Sequence, residues 1–172
     1  MIVYLIGFMG SGKTSVGLKL ARKLNREFLD LDEMIESNEG KSIGFIFEER
    51  GKEYFRKLEA KYLRQTVNFE DIIVACGGGT PCYHDNMDFM KSSGFTIYLM
   101  MTPSALKSRL ESTGNKRPLI ADMDENKLLK FIERKLDERK IWYEQSHLIT
   151  DGLDADIDQI AAIVLSQSPC TP

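Results

Sequence analysis

The feature that most constrains the fold of this chain is a glycine-rich stretch placed between an apolar run and a helical pattern. Residues 2–6 (IVYLI) have the character of a buried β-strand, and residues 7–14 (GFMGSGKT) match the pattern G-x-x-x-x-G-K-[ST]. In this pattern the glycines allow backbone N–H groups to wrap a phosphate, and the following helix adds its partial positive charge. The segment therefore predicts a strand, a phosphate-binding loop and a helix over about 14–23.

Short β-rich runs alternate with helical patterns along the rest of the chain. We predict further strands at 27–32, 71–76, 95–100 and 147–150. We predict helices at 42–67, 85–92, 103–112, 124–145 and 155–166. Strands separated by helices imply an α/β fold, with a five-stranded parallel sheet, right-handed crossovers and helices on both faces. Ligands of such sheets bind at the carboxyl ends of the strands, so the side chains that follow each strand are the candidates for a functional site.

Composition is that of an ordinary globular domain. The 172 residues suit one domain over 1–172, and 42% of them are hydrophobic and 28% charged. The net charge of -3 disfavours nucleic-acid binding, and no apolar run approaches the roughly 20 residues of a membrane helix. Three cysteines are too few for a disulfide framework and indicate a reducing compartment. The apolar N-terminus lacks the basic start of a signal peptide, so we expect a cytoplasmic protein, and we expect it to be a monomer.

Each residue type of the glycine-rich loop has a defined task in nucleotide binding. Lys13 is expected to reach the β- and γ-phosphates of a nucleotide, and the Thr14 hydroxyl is expected to ligate Mg²⁺. The guanine-reading pattern N-K-x-D of GTPases fits neither NKRP (115–118) nor NKLL (126–129), which disfavours a GTPase switch. The predicted nucleotide-binding residues of the loop are Gly10, Ser11, Gly12, Lys13, Thr14 and Ser15.

Two carboxylates follow the second predicted strand. On an extended chain, residues two apart face the same side, so Asp30 and Asp32 in FLDLDE can point into one pocket. One carboxylate can hold Mg²⁺ through water, and the other can orient an acceptor hydroxyl and take its proton. In an equally good interpretation, Asp32 is the N-cap of a helix that continues with EMIE.

Two arginines fall on helical patterns with apolar stripes. Arg56 lies in GKEYFRKLEAKYL, where Glu59 is three residues further on and can pair with its guanidinium group. Arg139 continues the apolar stripe of the 124–145 helix, which directs this side chain toward the interior. Planar guanidinium groups match carboxylates, so the pair indicates an anionic small molecule. The alternatives are an exposed ion pair for Arg56 and a side chain that extends to solvent for Arg139.

The polar segment 111–125 (ESTGNKRPLIADMDE) joins two predicted helices and is too long for a tight turn. A loop of this kind is often a lid. Arg117 within it can close over the γ-phosphate and offset negative charge in the transition state. Arg109, at the end of the preceding helix, can lie over the face of an adenine ring. A solvated position is the alternative for both arginines.

In their order along the chain, these segments resemble the shikimate kinases, a family of small P-loop kinases of the nucleoside-monophosphate-kinase type. The matching segments run from Ile2 to about Tyr143 and read GFMGSGKT, DLD, IFEERGKEYFRKLE, GGG, RPLI and RKIWY. The first motif is shared by many families, whereas the ordered set is specific. The lid of the family more commonly reads RPLL, so RPLI is a mild apolar exchange.

The resemblance implies a reaction and a set of catalytic residues. Such enzymes transfer the γ-phosphoryl group of ATP to the 3-hydroxyl of shikimate, with Mg²⁺ as cofactor, in aromatic amino acid biosynthesis. By this likeness Asp32 holds the hydroxyl and is the candidate base, and Asp30 lies near the water shell of the Mg²⁺ ion held by Thr14. The implied catalytic residues are Asp32, Lys13 and Arg117.

The resemblance also implies a substrate site, with a substrate-binding helical segment over about 32–62. Two arginines bind the shikimate carboxylate, three glycines line the pocket and two aromatic rings form its wall. These residues are Arg56 and Arg139, Gly77, Gly78 and Gly79, and Phe47 and Phe55. Arg109 neighbours the adenine. The family often has a basic or proline-containing loop beside the adenine after the last strand, and TDGLDADID (150–158) is acidic, so we assign no adenine contact there.

The stretch VACGGGTPCYHD (74–85) admits other readings from its residue types. A metal site would need Cys76, Cys82, His84 and Asp85 to converge, and their spacing fits no common zinc pattern. A second phosphate loop would need the lysine and hydroxyl partner of the first one. We therefore predict that the glycines form the floor of the acceptor site, where a ring can lie against backbone N–H groups. Asp85 is expected near the cap of the next helix.

Two other functions stay open from the sequence. A kinase of the same fold that acts on another small acid, such as gluconate, would also need a carboxylate site. A nucleotide-binding switch without an acceptor would keep the phosphate loop, but it would need neither the lid arginine nor the inward pair of arginines. Thermal stabilisation by nucleotide alone, with no response to shikimate, would identify a switch.

Overall fold

Strands and helices alternate along the chain. The computed structural model of the protein describes residues 1–112 and 123–167. The strands are β1 (Ile2–Ile6), β2 (Glu27–Asp30), β3 (Ile72–Ala75), β4 (Gly94–Met100) and β5 (Leu148–Asp151). The helices are α1 (Lys13–Leu24), α2 (Leu31–Glu39), α3 (Ile43–Gln65), α4 (Asn86–Ser93), α5 (Pro103–Ser112), α6 (Glu125–Tyr143) and α7 (Ile157–Gln167). Short 3₁₀ turns cover Thr66–Asn68 and Thr80–Cys82.

The strands form a parallel sheet in the order β2-β3-β1-β4-β5, which confirms the predicted α/β fold. Leu5 in the central strand β1 lies opposite Ala75 of β3 on one side and Ile97 of β4 on the other. The loop after β1 therefore lies between the carboxyl ends of β3 and β4. Since successive strands are added first on one side of β1 and then on the other, this loop lies where the strand order reverses, the usual ligand crevice of such sheets.

Both faces of the sheet are covered by helices. Tyr4 and Ile6 pack in a cluster with residues of α2, α3, α4 and α6, while Val3 and Leu5 pack in a second cluster with residues of α1 and α7. Alternate residues of a strand point to opposite faces, so a strand covered on both sides needs an uninterrupted apolar run. The run IVYLI supplies one, and every residue of β1 is buried. None of the described helices is long and apolar enough to cross a membrane.

Two predicted elements differ from the structure. The strand predicted at 27–32 ends at Asp30, because the Asp30 side chain accepts a hydrogen bond from the Asp32 N–H and begins α2. The helix predicted at 42–67 is interrupted at Gly51, whose φ of 78° is left-handed. Glycine populates this region without steric cost, which allows the chain to change direction inside α3.

Candidate active site

The loop between β1 and α1 has the backbone geometry of a phosphate cradle. Gly10 and Gly12 have φ angles of 82° and 91°, a left-handed conformation that side chains with a Cβ resist. The Lys13 Nζ donates to the carbonyl oxygens of Gly7 at 3.0 Å and Phe8 at 2.9 Å, so its ammonium group lies over the loop. No side chain caps α1 at Gly12 and no acidic residue lies in its first turn, which suits the binding of an anion at this helix start.

Asp30 joins the phosphate loop to the second strand. Its Oδ2 accepts a hydrogen bond from the Thr14 hydroxyl at 3.1 Å, and its Oδ1 accepts the backbone N–H of Asp32 at 3.0 Å. A hydroxyl and a carboxylate at this separation are the hard oxygen ligands that Mg²⁺ prefers. No cluster of three or more potential metal-ligating side chains occurs among the residues that the structure describes. The donor set therefore fits a Mg²⁺ ion whose remaining ligands are water and substrate phosphate.

Asp32 lies in the first turn of α2 and not on an extended strand. The assumption that Asp30 and Asp32 share one face of a strand is wrong, and so is the alternative that Asp32 itself is the N-cap. The two carboxylates nevertheless line the same cavity, because α2 begins at the carboxyl edge of the sheet. Because Asp32 lies in the first helical turn, the two carboxylates point in different directions. Asp30 faces Thr14, and Asp32 faces the loop after β3.

All three glycines after β3 lie close to charged side chains, and the contacts are shortest at Gly77 and Gly79. A Cβ placed on Gly77 would lie 3.0 Å from both Asp32 Oδ1 and Glu59 Oε1. A Cβ placed on Gly79 would lie 2.7 Å from Arg56 Nη2, which is closer than real Cβ atoms approach. Side chains are therefore excluded here because the carboxylates and the guanidinium group occupy the space beside the backbone.

The middle glycine connects the phosphate loop to α6. A Cβ on Gly78 would lie 3.3 Å from both the Gly7 carbonyl oxygen and Arg139 Nη1, so the two glycine-rich loops pack against each other. The Gly78 carbonyl oxygen accepts a hydrogen bond from Arg139 Nη1 at 3.0 Å and another from the Tyr143 hydroxyl. Arg139 also lies 5.4 Å from the centre of the Phe8 ring. These contacts show that the Arg139 side chain points inward, toward the two glycine-rich loops, as the apolar stripe of its helix predicts.

Arg56 is buried and paired. Its Nη1 donates to Glu59 Oε2 at 2.6 Å, and both side chains are nearly inaccessible to solvent, which excludes the exposed ion pair considered from the sequence. The guanidinium group also lies 4.6 Å from the centre of the Tyr83 ring and 5.1 Å from that of Phe55. The other oxygen of Glu59 accepts a hydrogen bond from the Thr80 hydroxyl at 2.6 Å. Both carboxylate oxygens of Glu59 therefore accept a hydrogen bond, one from Arg56 and one from Thr80.

A cavity of about 580 Å³ joins the phosphate loop to the glycines after β3. Its lining contains the following predicted site residues: Gly10, Gly12, Lys13, Thr14, Ser15, Asp30, Asp32, Gly77, Gly78 and Arg109. Other predicted site residues lie outside this lining, namely Ser11, Arg56, Gly79, Arg139, Phe47 and Phe55. The Phe47 and Phe55 rings pack against each other with their centres 4.6 Å apart and their planes tilted by 34°, and Phe55 belongs to the core cluster.

The far end of the cavity is formed by Arg109 and by the loop after β5. A Cβ on Gly12 would lie 3.0 Å from Arg109 Nη1, which places this arginine beside the phosphate loop. Gly152, Leu153, Ala155 and Ile157 line the same cavity and belong to the acidic segment to which the sequence assigns no adenine contact. The sequence signal for this lining was the presence of glycine and apolar residues within the acidic stretch. Arg117 and most of the predicted lid lie outside the described residues.

Cys76 and Cys82, the cysteines within the described residues, both have thiols that are protonated at neutral pH. Cys76 is fully buried and its Sγ contacts Met90 Sδ at 3.7 Å, so burial raises the pKa of its thiol well above the usual value. Burial also raises the pKa of Cys82 to about 11. His84 and Asp85 both have positive φ angles, of 51° and 54°, and Asp85 is the N-cap position of α4 without a side-chain bond to it.

Comparisons with known proteins point to one family. The family model described as Shikimate kinase matches residues 9–168. A shikimate kinase of Phocaeicola vulgatus is 40% identical over 163 residues, which cover 94% of this chain and 93% of the relative. The crystal structure of a shikimate kinase from Bacteroides thetaiotaomicron superposes with a TM-score of 0.90 at 35% identity, covering 96% and 97% of the two chains. A shikimate kinase from Acinetobacter baumannii in complex with shikimate has a TM-score of 0.83 at 31% identity, covering 96% and 90%.

Proposed function

The chain belongs to the shikimate kinase family, and from that premise we propose how its residues divide the work of phosphoryl transfer. The reaction is the ATP-dependent transfer of the γ-phosphoryl group to the 3-hydroxyl of shikimate, giving shikimate 3-phosphate and ADP. The observation that carries the assignment is the meeting of the phosphate loop, Asp32 and the pair Arg56–Glu59 around the three glycines Gly77, Gly78 and Gly79. An acceptor placed there has a carboxylate base on one side and the phosphate donor on the other.

The phosphate loop binds the ATP phosphates through its backbone N–H groups and Lys13. The ammonium group of Lys13 already lies over the loop, and its contacts with carbonyl oxygens can be exchanged for the more favourable contacts with β- and γ-phosphate oxygens. Positive charge at this position stabilises the negative charge that the equatorial oxygens carry during transfer. Arg109 and the loop after β5 border the space in which the nucleoside part of ATP would lie.

Thr14 and Asp30 would hold Mg²⁺, Thr14 directly through its hydroxyl and Asp30 through water. A Mg²⁺ ion held there would supply positive charge that offsets the negative charge of the nucleotide phosphates. The Thr14–Asp30 contact orients the hydroxyl, and the bond from the Asp32 N–H holds the Asp30 carboxylate in place. Asp30 therefore contributes both a negative charge near the metal position and the start of α2.

Asp32 orients the acceptor hydroxyl and takes its proton. As the hydroxyl oxygen attacks the γ-phosphorus, the bond from that phosphorus to the bridging oxygen of ADP breaks, and the hydroxyl proton passes to the Asp32 carboxylate. A carboxylate beside the glycines after β3 can do this only if the acceptor ring lies against the glycine backbone. Gly77 and Gly78 line the cavity, so their backbone borders the space in which the ring would lie.

Arg56 and Arg139 bind the shikimate carboxylate from two sides. Glu59 holds one end of the Arg56 guanidinium group, and the Gly78 carbonyl holds one end of Arg139. Each arginine retains other N–H groups for the substrate, and a planar fork is suited to a carboxylate. Phe47 and Phe55 form the apolar wall next to Arg56, and Arg117 in the 111–125 segment acts as the lid arginine.

A coupled assay of ADP release tests the proposed function. Release should require both ATP and Mg²⁺ and should depend on shikimate, with gluconate as the matched acid that lacks the ring. ADP release that depends on gluconate and not on shikimate would instead identify gluconate as the acceptor. Nucleotide binding with no acceptor-dependent ADP release would identify the protein as a nucleotide-binding switch.

We further propose that the chain is a single-domain cytoplasmic monomer. Light scattering of the purified protein tests the oligomeric state.

A further inference from the structure

Thr80 has no part in the binding of ATP, Mg²⁺ or shikimate, or in the phosphoryl transfer, that is proposed above. Its hydroxyl donates to Glu59 Oε1 at 2.6 Å, while Glu59 Oε2 accepts the Arg56 Nη1 at 2.6 Å. Thr80 is fully buried and Glu59 is 1% exposed, so water does not compete for these bonds. A charge-assisted hydrogen bond in such surroundings is stronger than a neutral one and restricts both partners to one geometry.

The backbone of Thr80 is itself held in place. Its N–H donates to the Gly77 carbonyl at 3.1 Å, and its carbonyl accepts from Asn86 Nδ2 at 2.9 Å. The Asn86 Oδ1 accepts from Arg64 Nη1 at 2.8 Å, and Arg64 Nη2 donates to the His84 carbonyl at 2.7 Å. The Thr80 hydroxyl is thus attached to a hydrogen-bonded framework that joins α3, the 3₁₀ turn and α4. It cannot follow Glu59 if that side chain moves.

Arg56 depends on Glu59 for its orientation. Its other neighbours are the Tyr83 and Phe55 rings and the backbone of Gly79, which contact the guanidinium plane but do not fix its rotation through directed bonds. The Arg56 Nε is buried, and no described group accepts a hydrogen bond from it. The rotation that Glu59 imposes therefore decides where this N–H group points.

We propose that Thr80 is a positioning residue for carboxylate recognition, acting through Glu59 to set the orientation of Arg56. The inference rests on the proposed function, since it assumes that Arg56 binds the acid group of the acceptor. Thr80 does not touch the acceptor in this role. Loss of its hydroxyl leaves Glu59 with a buried and unsatisfied oxygen, so the carboxylate shifts and the guanidinium group turns with it.

The test compares Thr80→Val, Thr80→Ala and Thr80→Ser with the wild type by steady-state kinetics. Thr80→Val should raise the KM for shikimate about tenfold, with the KM for ATP and kcat within about twofold of the wild type. Thr80→Ser keeps the hydroxyl and should restore the wild-type KM. Thr80→Ala, which removes the hydroxyl and the methyl group and leaves space for water, serves if the valine variant does not fold and should raise the same KM.

Thr96→Val is the matched control. Thr96 is also fully buried, and its hydroxyl bonds to the His147 backbone N–H at 3.0 Å near the other end of the sheet. This variant should leave both KM values unchanged. If the wild type is active and Thr80→Val and Thr80→Ala leave the KM for shikimate unchanged, the inference is overturned and the proposed function stands. A Thr80→Ser variant that raises this KM as much as Thr80→Val would have the same consequence. Wild-type protein without shikimate-dependent ADP release would overturn the proposed function and the inference together.

Discussion

Asp30 and Asp32 are two residues apart, yet they belong to different elements, because Asp30 Oδ1 accepts the backbone N–H of Asp32 at 3.0 Å and begins α2. Asp30 consequently faces the Thr14 hydroxyl, while Asp32 projects from the first helical turn toward Gly77. Asp30 begins the helix, and in the proposed function it also serves the metal position while Asp32 serves the acceptor. The two roles can be separated by substitution.

Asp32→Asn should lower kcat by about a hundredfold or more, because the amide cannot take the proton of the acceptor hydroxyl. The KM for ATP should change little, since the phosphate loop is intact. Glu33→Gln is the matched control, because Glu33 is the other acidic residue in the first turn of α2 and is exposed. Steady-state kinetics of both variants test the role, and turnover within about threefold of the wild type in Asp32→Asn would contradict it.

Asp30→Asn should raise the Mg²⁺ concentration needed for half-maximal activity while leaving the melting temperature nearly unchanged. Asparagine caps a helix about as well as aspartate but carries no charge for the metal. Asp30→Ala removes both functions and should in addition lower the free energy of unfolding by about 1 kcal/mol. Mg²⁺ titrations and thermal melts measure the two effects, and an unchanged Mg²⁺ requirement in both variants would refute the metal role.

Arg139→Lys should raise the KM for shikimate about tenfold, because an ammonium group cannot bond the Gly78 carbonyl and present a planar fork to a carboxylate. The same exchange at Arg134, an exposed residue of α6 paired with Glu138, is the matched control and should have no effect. Kinetics with varied shikimate at saturating ATP measure the difference. Equal KM values for the two variants would mean that Arg139 acts elsewhere.

Gly79→Ala should raise the KM for shikimate without affecting that for ATP. The φ and ψ angles of Gly79, -99° and -12°, are accessible to alanine, so the backbone is not strained. The new Cβ would lie 2.7 Å from Arg56 Nη2 and must displace the guanidinium group. Isothermal titration with shikimate measures the loss, and full retention of affinity would show that Arg56 is not needed in this position.

Cys82 should react slowly with alkylating reagents at neutral pH. Burial raises the pKa of its thiol to about 11, so only about one molecule in a thousand carries the thiolate at pH 8. Labelling in a Cys170→Ser background should speed up as the pH rises toward 11. Between pH 9 and 11 the folded thiol keeps a proton that the unfolded chain releases, so the free energy of unfolding should fall with rising pH. Rapid labelling at pH 7 would contradict the raised pKa.

The order of elements and most of the site could be predicted from the sequence, because both depend on local patterns. The apolar run before GFMGSGKT and the helical spacing around Arg56 and Arg139 follow from neighbouring residues. The end of β2 at Asp30 could not be predicted so firmly. FLDLDE is compatible with a strand or a helix start, and only the bond from Asp32 N–H to Asp30 decides between them.

Contacts between distant segments were not visible in the sequence. Thr80 lies 21 residues from Glu59, and Tyr143 lies 65 residues from Gly78, yet these pairs are bonded. The loop after β5 was set aside because of its acidic composition, although Gly152 and Leu153 face the cavity. Residue types can indicate that a buried polar group needs a partner, but they do not identify which residue provides it.

The sequence by itself determined the parallel α/β architecture, the phosphate loop and the identities of the acidic and basic side chains that follow the strands. These properties arise from apolar periodicity and from glycine and lysine at fixed spacing, which act over a few residues. The tertiary structure decided the separate tasks of Asp30 and Asp32, the burial of the Arg56–Glu59 pair and its link to Thr80. Those features exist only when α2, α3 and the loop after β3 pack together, because a side chain in water has no fixed partner until folding excludes the solvent.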